Sequence, residues 1–85
     1  MDISVKSKRA FLRAIEIVGG QTVMARELSK KLGRPVGQGF VWNQINQNKG
    51  PISSEIAIPV EEIIQEKIDG MRRVTRHDLR PDLYP

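Results

Sequence analysis

The chain has 85 residues, 28% of them charged, a net charge of +4, a pI near 9.9 and no cysteine. That length fits one small domain, 1–85, of marginal stability, and the missing cysteines exclude disulfides, thiolate chemistry and cysteine-ligated zinc. No apolar run reaches the roughly 18 residues needed to cross a bilayer, and Met1-Asp2-Ile3-Ser4 lacks signal-peptide character, so a cytoplasmic protein with no membrane partner is expected. Residues 1–34 hold eight Lys/Arg against three acids, whereas residues 35–70 hold two against five. A basic amino-terminal part suits a polyanion, because neutralising phosphates releases counterions.

The first predicted element is an amphipathic helix over 5–18. Phe11, Ile15 and Val18 fall at i, i+4 and i+7, Leu12 and Ala14 widen the stripe, and Ser4 is a candidate N-cap. Gly19-Gly20 stops it. A second helix starts at Gln21-Thr22 and runs to about Lys31 or Leu32, with Met24, Ala25, Leu28 and Leu32 inward; the small Ala25 permits a close helix crossing. Gly33-Arg34-Pro35-Val36-Gly37 breaks the pattern. A third helix spans about 38–47, with Val41 and Ile45 on one side, Phe40 nearby, and Trp42, Asn43 and Asn46 pointing elsewhere; Asn48-Lys49-Gly50-Pro51 ends it. Residues 52–58 read as a connector with room for a short extended piece. A fourth helix follows, with Pro59 at its first position, Glu61 and Glu62 in its first turn, Val60, Ile63, Ile64 and Ile68 inward, and Gly70 after its end. In the tail, Thr75 and Asp78 form a capping box for one short turn, Pro81 stops it, and Leu79, Leu83 and Tyr84 anchor it.

The order of helix two, break and amide-rich helix is that of a helix-turn-helix, over about 21–48. A recognition helix needs one apolar face, here Val41 and Ile45, to lock onto Ala25 and Leu28. Its other face needs groups that donate and accept at base edges. Asparagine and glutamine do so bidentately at adenine, which points to Gln38, Asn43 and Asn46. No acid lies between Glu27 and Glu55 to repel phosphates. Gln21 and Thr22 sit at the start of helix two, where backbone N–H groups face an anion. Arg26, Lys31, Arg34 and Lys49 are the candidate cations for the DNA backbone.

Gly19-Gly20-Gln21-Thr22, Ala25-Arg26, Val41-Trp42 with Ile45-Asn46, and above all Val74-Thr75-Arg76-His77-Asp78-Leu79-Arg80-Pro81-Asp82-Leu83-Tyr84-Pro85 resemble the YdaS family. Its members are small Cro-like helix-turn-helix regulators of bacterial prophages, some labelled antitoxins. The resemblance covers about residues 10–85, and the tail motif at 74–85 is its most specific part. It implies an all-α, compact Cro/repressor-like domain of four to five helices with a docked C-terminal tail. It also implies sequence-specific binding of a homodimer to a palindromic operator of a phage or prophage, and it puts Trp42 at the DNA-facing edge of the helix pair, partly exposed. Gln38, Trp42, Asn43 and Asn46 then form the readout set. The antitoxin label implies an alternative, an interaction module that binds a toxin partner and autoregulates its operon.

One feature departs from the usual motif. Val41 lies sixteen residues after Ala25, about six more than usual for such a motif. Either helix two is a turn longer, or the connection is an extended loop, or both. His77 is the only histidine and has no catalytic or metal-binding companion in the sequence. Gly33, Gly37 and Gly39 lack phosphate-loop spacing. No enzyme, cofactor or metal is expected, and the four aromatic residues are few for single-stranded RNA stacking.

Overall fold

The computed structural model describes residues 3–47, 49–67 and 74–85. Five helices form, α1 (Ile3–Val18), α2 (Gln21–Leu32), α3 (Gln38–Asn46), α4 (Ser54–Lys67) and α5 (Arg76–Leu79), with no strand among the described residues. The all-α expectation holds, and residues 52–58 contain no extended strand. α1 buries Ser7, Ala10, Phe11, Ala14 and Ile15. Leu12, expected in that stripe, is 42% exposed, because it is rotated about 100° from Phe11. Ser4 lies inside α1 instead of capping it.

Gly19 and Gly20 turn the chain with φ of 106° and 127°, which side chains resist. Both donate to Ile15 O, at 3.1 and 2.9 Å. α2 therefore starts at once and crosses back against α1, burying Met24, Ala25 and Leu28. It ends at Gly33, in the left-handed conformation with its N–H on Ser29 O. The surplus spacing is now accounted for. α2 continues to Leu32, and the five residues 33–37 exceed the usual three- or four-residue turn. Ser29 pins this longer connection. Its Oγ accepts from Val36 N at 2.8 Å and lies 2.9 and 3.0 Å from Ala25 O and Val36 O, which share its single proton.

α4 is the largest correction. It begins at Ser54, five residues before Pro59, so Pro59 sits inside the helix and forfeits one backbone hydrogen bond. Full burial of Ile56, Ala57, Val60, Ile63 and Ile64 offsets that loss. Asn48, Ile68 and Gly70, named above as a turn residue, a stripe residue and a stop, lie outside the described residues.

The capping box at Thr75 and Asp78 is present, with Asp78 N on Thr75 Oγ1 at 3.3 Å and Thr75 N on Asp78 Oδ2 at 3.1 Å. Leu79 is fully buried and Tyr84 packs on the core, but Leu83 is exposed and anchors nothing. The stronger anchor was not foreseen. Glu61, 7% exposed, receives Arg76 Nε and Nη2 on Oε1 at 2.9 and 2.7 Å and Arg76 N on Oε2 at 2.8 Å. The Arg76 guanidinium also stands 5.6 Å over the Tyr84 ring, and His77 Nδ1 bonds Tyr84 O at 2.7 Å. His77 is thus a structural hydrogen-bonding residue.

Burial pushes the Glu61 carboxyl up, but the Arg76 hydrogen bonds and charge together outweigh it and hold the group below its ordinary value of 4.5. A depressed carboxyl stabilises the fold above its ordinary pKa, and this contribution disappears as pH falls through the folded value. Thermal scans should therefore show a melting temperature that declines below about pH 4.5. Glu61→Gln should melt lower at pH 7, by about 2 kcal/mol for the lost charge-assisted bonds, and decline less steeply in acid. Equal acid slopes for the two proteins would contradict this assignment.

Candidate nucleic-acid interface

α2 and α3 pack together through Ala25, Leu28 and Val41, all buried, with Phe40 and Ile45 partly buried at the edge. Gln44 completes the inward face at 8% exposure and accepts a hydrogen bond from Ser53 N at 2.8 Å. It was overlooked as an amide among amides. Its place three residues after Val41, on the same side of the helix, was the available signal.

The opposite face of α3 presents Trp42, Asn43 and Asn46 to solvent. Trp42 is 44% exposed, as its position about 100° from Val41 requires. Asn46 Nδ2 donates to Trp42 O at 3.1 Å, one turn back. That bond fixes the amide on the helix surface while leaving its oxygen and second N–H open. The Asn43 side chain makes no hydrogen bond among the described residues. Gly39 lies on this same face, three, four and seven residues before Trp42, Asn43 and Asn46, and a Cβ there would meet nothing within 4 Å.

The starts of the two helices meet. Thr22 Oγ1 donates to Gln38 Oε1 at 3.4 Å, a long bond between exposed groups that places the first turns of α2 and α3 side by side. Neither helix has a side-chain cap at its N-terminus, so their leading N–H groups face outward. Gln21 is half-buried beside Thr22. Arg26 is exposed and lies 3.9 Å from Glu27, a weak surface pair. Lys49 is exposed just beyond α3, with no ion pair among the described residues.

Lys31 and Arg34 are placed differently. Lys31 pairs with Glu66, and Arg34 Nη2 lies 2.6 Å from Glu55 Oε1, so both cations reach toward α4. The structure brings Gln38, Trp42, Asn43 and Asn46 together with Thr22 around one open face. It keeps Lys31 and Arg34 at the α4 side.

The entry to α4 is fixed by polar side chains distant in sequence. Ile52 N donates to Ser7 Oγ of α1 at 2.9 Å, and Ile52 O accepts from Arg80 Nη1 of the tail at 3.0 Å. With Gln44 holding Ser53 N, three side chains from α1, α3 and the tail fix the chain just before α4 begins at Ser54. Arg80 is itself braced by Asp82, at 2.9 and 2.7 Å. The described residues contain no group of His, Asp and Glu able to hold a metal ion, and none of their helices is long and apolar enough to cross a membrane.

No curated protein and no solved structure matches the chain. A family model described as bacterial toxin YdaS matches residues 11–85, from the first fully buried aromatic of α1 through the whole tail motif. By that match, the chain belongs to the bacterial toxin YdaS family.

Proposed function

We propose that this protein is a sequence-specific double-stranded DNA-binding regulator that acts on a phage or prophage operator. The reading is carried by the solvent-facing side of α3, where Trp42, Asn43 and Asn46 stand in a segment without acids, next to the uncapped start of α2. Asparagine amides in a major groove read adenine through N6 and N7. The open N–H groups of α2, with Thr22, Arg26 and Lys49, supply phosphate contacts that set the register. One nine-residue helix reads few bases, so two copies on an inverted repeat, with half-sites about one helical turn apart, give useful specificity.

Footprinting on the DNA upstream of the protein's own gene tests this reading. A protected inverted repeat, with affinity falling steeply as salt rises, is expected; uniform weak protection without sequence preference would refute it. Gly39 offers a finer measurement. Glycine in a helix costs about 0.5–1 kcal/mol relative to alanine, and an added methyl here meets no protein atom within 4 Å. Gly39→Ala should therefore raise the melting temperature by about 5 °C. It should also weaken operator binding severalfold, because the methyl intrudes on the face that approaches DNA. Stabilisation with unchanged binding would remove Gly39 from the contact surface.

The family's description as a toxin favours a second reading, an interaction module whose principal partner is another protein of a toxin–antitoxin pair. A stoichiometric protein partner, combined with DNA binding no better than non-specific, would select it.

A further inference from the structure

Apart from Trp42 and Leu83, the large apolar side chains exposed among the described residues are all on α1, namely Ile3 at 41%, Val5 at 42% and Leu12 at 42%. Val5 and Leu12 are seven residues apart, so they line up within about 20° around the helix and about 10 Å along it. On the neighbouring edge Lys6 and Arg13 form a second row seven residues apart, with Arg9 between them. Lys6 and Arg9 have no ion pair among the described residues, and Arg13 is 3.9 Å from Asp78 with its side chain 58% exposed. The inward side of α1 is already filled by Ala10, Phe11, Ala14 and Ile15. The outward side thus carries an apolar ridge beside a mainly basic one, with Glu16 as its one acid, and only Arg13 of these cations reaches an acid of the domain, Asp78.

We propose that this face of α1 docks an acidic amphipathic helix of a partner protein. Apolar side chains of that helix at helical spacing would lie on Val5 and Leu12, and its flanking carboxylates would meet Lys6 and Arg9, as in helix pairs joined by an apolar seam with charged flanks. DNA would engage the cations but leave the ridge in water. A second copy of the chain is poorly supplied with carboxylates. Glu55, Glu61, Glu66 and Asp82 are taken by Arg34, Arg76, Lys31 and Arg80, which leaves Glu16 and Glu62 as the exposed acids without an ion pair among the described residues. Glu16, on this same face of α1, would set one carboxylate against the three cations of a facing copy.

The test is selection of a displayed library of amphipathic helical peptides on the full chain, followed by affinity measurement of the enriched peptides. The expected result is enrichment of peptides whose apolar stripe is flanked by Asp and Glu. Their affinity should fall at least tenfold with Val5→Gln/Leu12→Gln and with Arg9→Glu. All these positions are exposed, and circular dichroism with a thermal scan verifies that the variants fold. Enrichment of basic or uncharged peptides, equal binding to the variants, or no enrichment at all would overturn the proposal. Two further outcomes would also overturn it: self-association in sedimentation that Val5→Gln/Leu12→Gln abolishes, which assigns the face to a second copy, or loss of operator protection in Arg9→Glu, which assigns it to DNA.

Discussion

Leu79→Ala is expected to destabilise the domain by about 3 kcal/mol, within the range for a fully buried leucine replaced by alanine, and to lower its melting temperature by about 15 °C. Leu79 is the one buried residue of α5 and is completely enclosed between α1 and α4. The effect is large because an 85-residue chain has little stability in reserve, of order 5–10 kcal/mol. It should also reach the connection between α3 and α4. The residue after Leu79 is Arg80, which holds Ile52 O, and Ile52 belongs to the segment that leaves α3. Urea denaturation would give the free energy, and a loss under about 1 kcal/mol would show that the tail does not dock as described. Amide exchange should quicken at Ile52 and Ser53 as well as in the tail.

Replacing the exposed amides acts on the other side of the molecule and leaves the fold alone. Asn43→Ala and Asn46→Ala should each lower discrimination between operator and unrelated DNA by about 1–3 kcal/mol, roughly 5- to 150-fold. Their melting temperatures should stay near that of the parent, since both side chains are exposed and away from the core. Among the described residues the Asn43 side chain has no hydrogen bond to lose, and that of Asn46 loses only its bond to Trp42 O. The salt dependence separates readout from phosphate contact. The amide variants should keep the parent slope of log affinity against log salt, whereas Lys49→Ala should reduce it by about 0.9, the increment for one phosphate. Unchanged operator preference in both amide variants would remove α3 from the role of recognition helix.

Much of this architecture could be read from spacing alone, because helical periodicity is a local property. The stripes of α1 and α2, the glycine stops and the capping box at Thr75 and Asp78 all depend on residues within one or two turns. The start of α4 departs from the local sequence pattern for a physical reason. Proline is most comfortable in a first turn, so Pro59 drew the boundary forward. Yet Ile56, Val60, Ile63 and Ile64 already have the period of a helix that begins before it. The exposed side of α3 followed from the inward direction of Val41, and Trp42, Asn43 and Asn46 stand where that geometry places them.

The polar residues that fix the site had no comparable signal. Ser7 reaches Ile52 across 45 residues, and Glu61 reaches Arg76 across 15. Such pairs follow from how the helices cross, and no short window of sequence contains both members. The ion pairs of Lys31 and Arg34 with α4 are of the same kind. Their positive charge was visible, while its direction depended on the neighbouring helix.

Ser29 carries a consequence for how members of this family can diverge. Its hydroxyl grips Val36, the last residue but one before α3, so α3 takes its position from α2 and not from the length of chain between them. Residues 33–35 join α2 to Val36, with Gly33 capping α2 and Arg34 paired with Glu55. Lengthening that loop should leave the angle between the helices unchanged, provided the serine and its grip are kept. Variation in the loop and variation on the exposed face of α3 are thereby uncoupled. A new α3 surface should be graftable onto this scaffold without redesigning the path that leads to it.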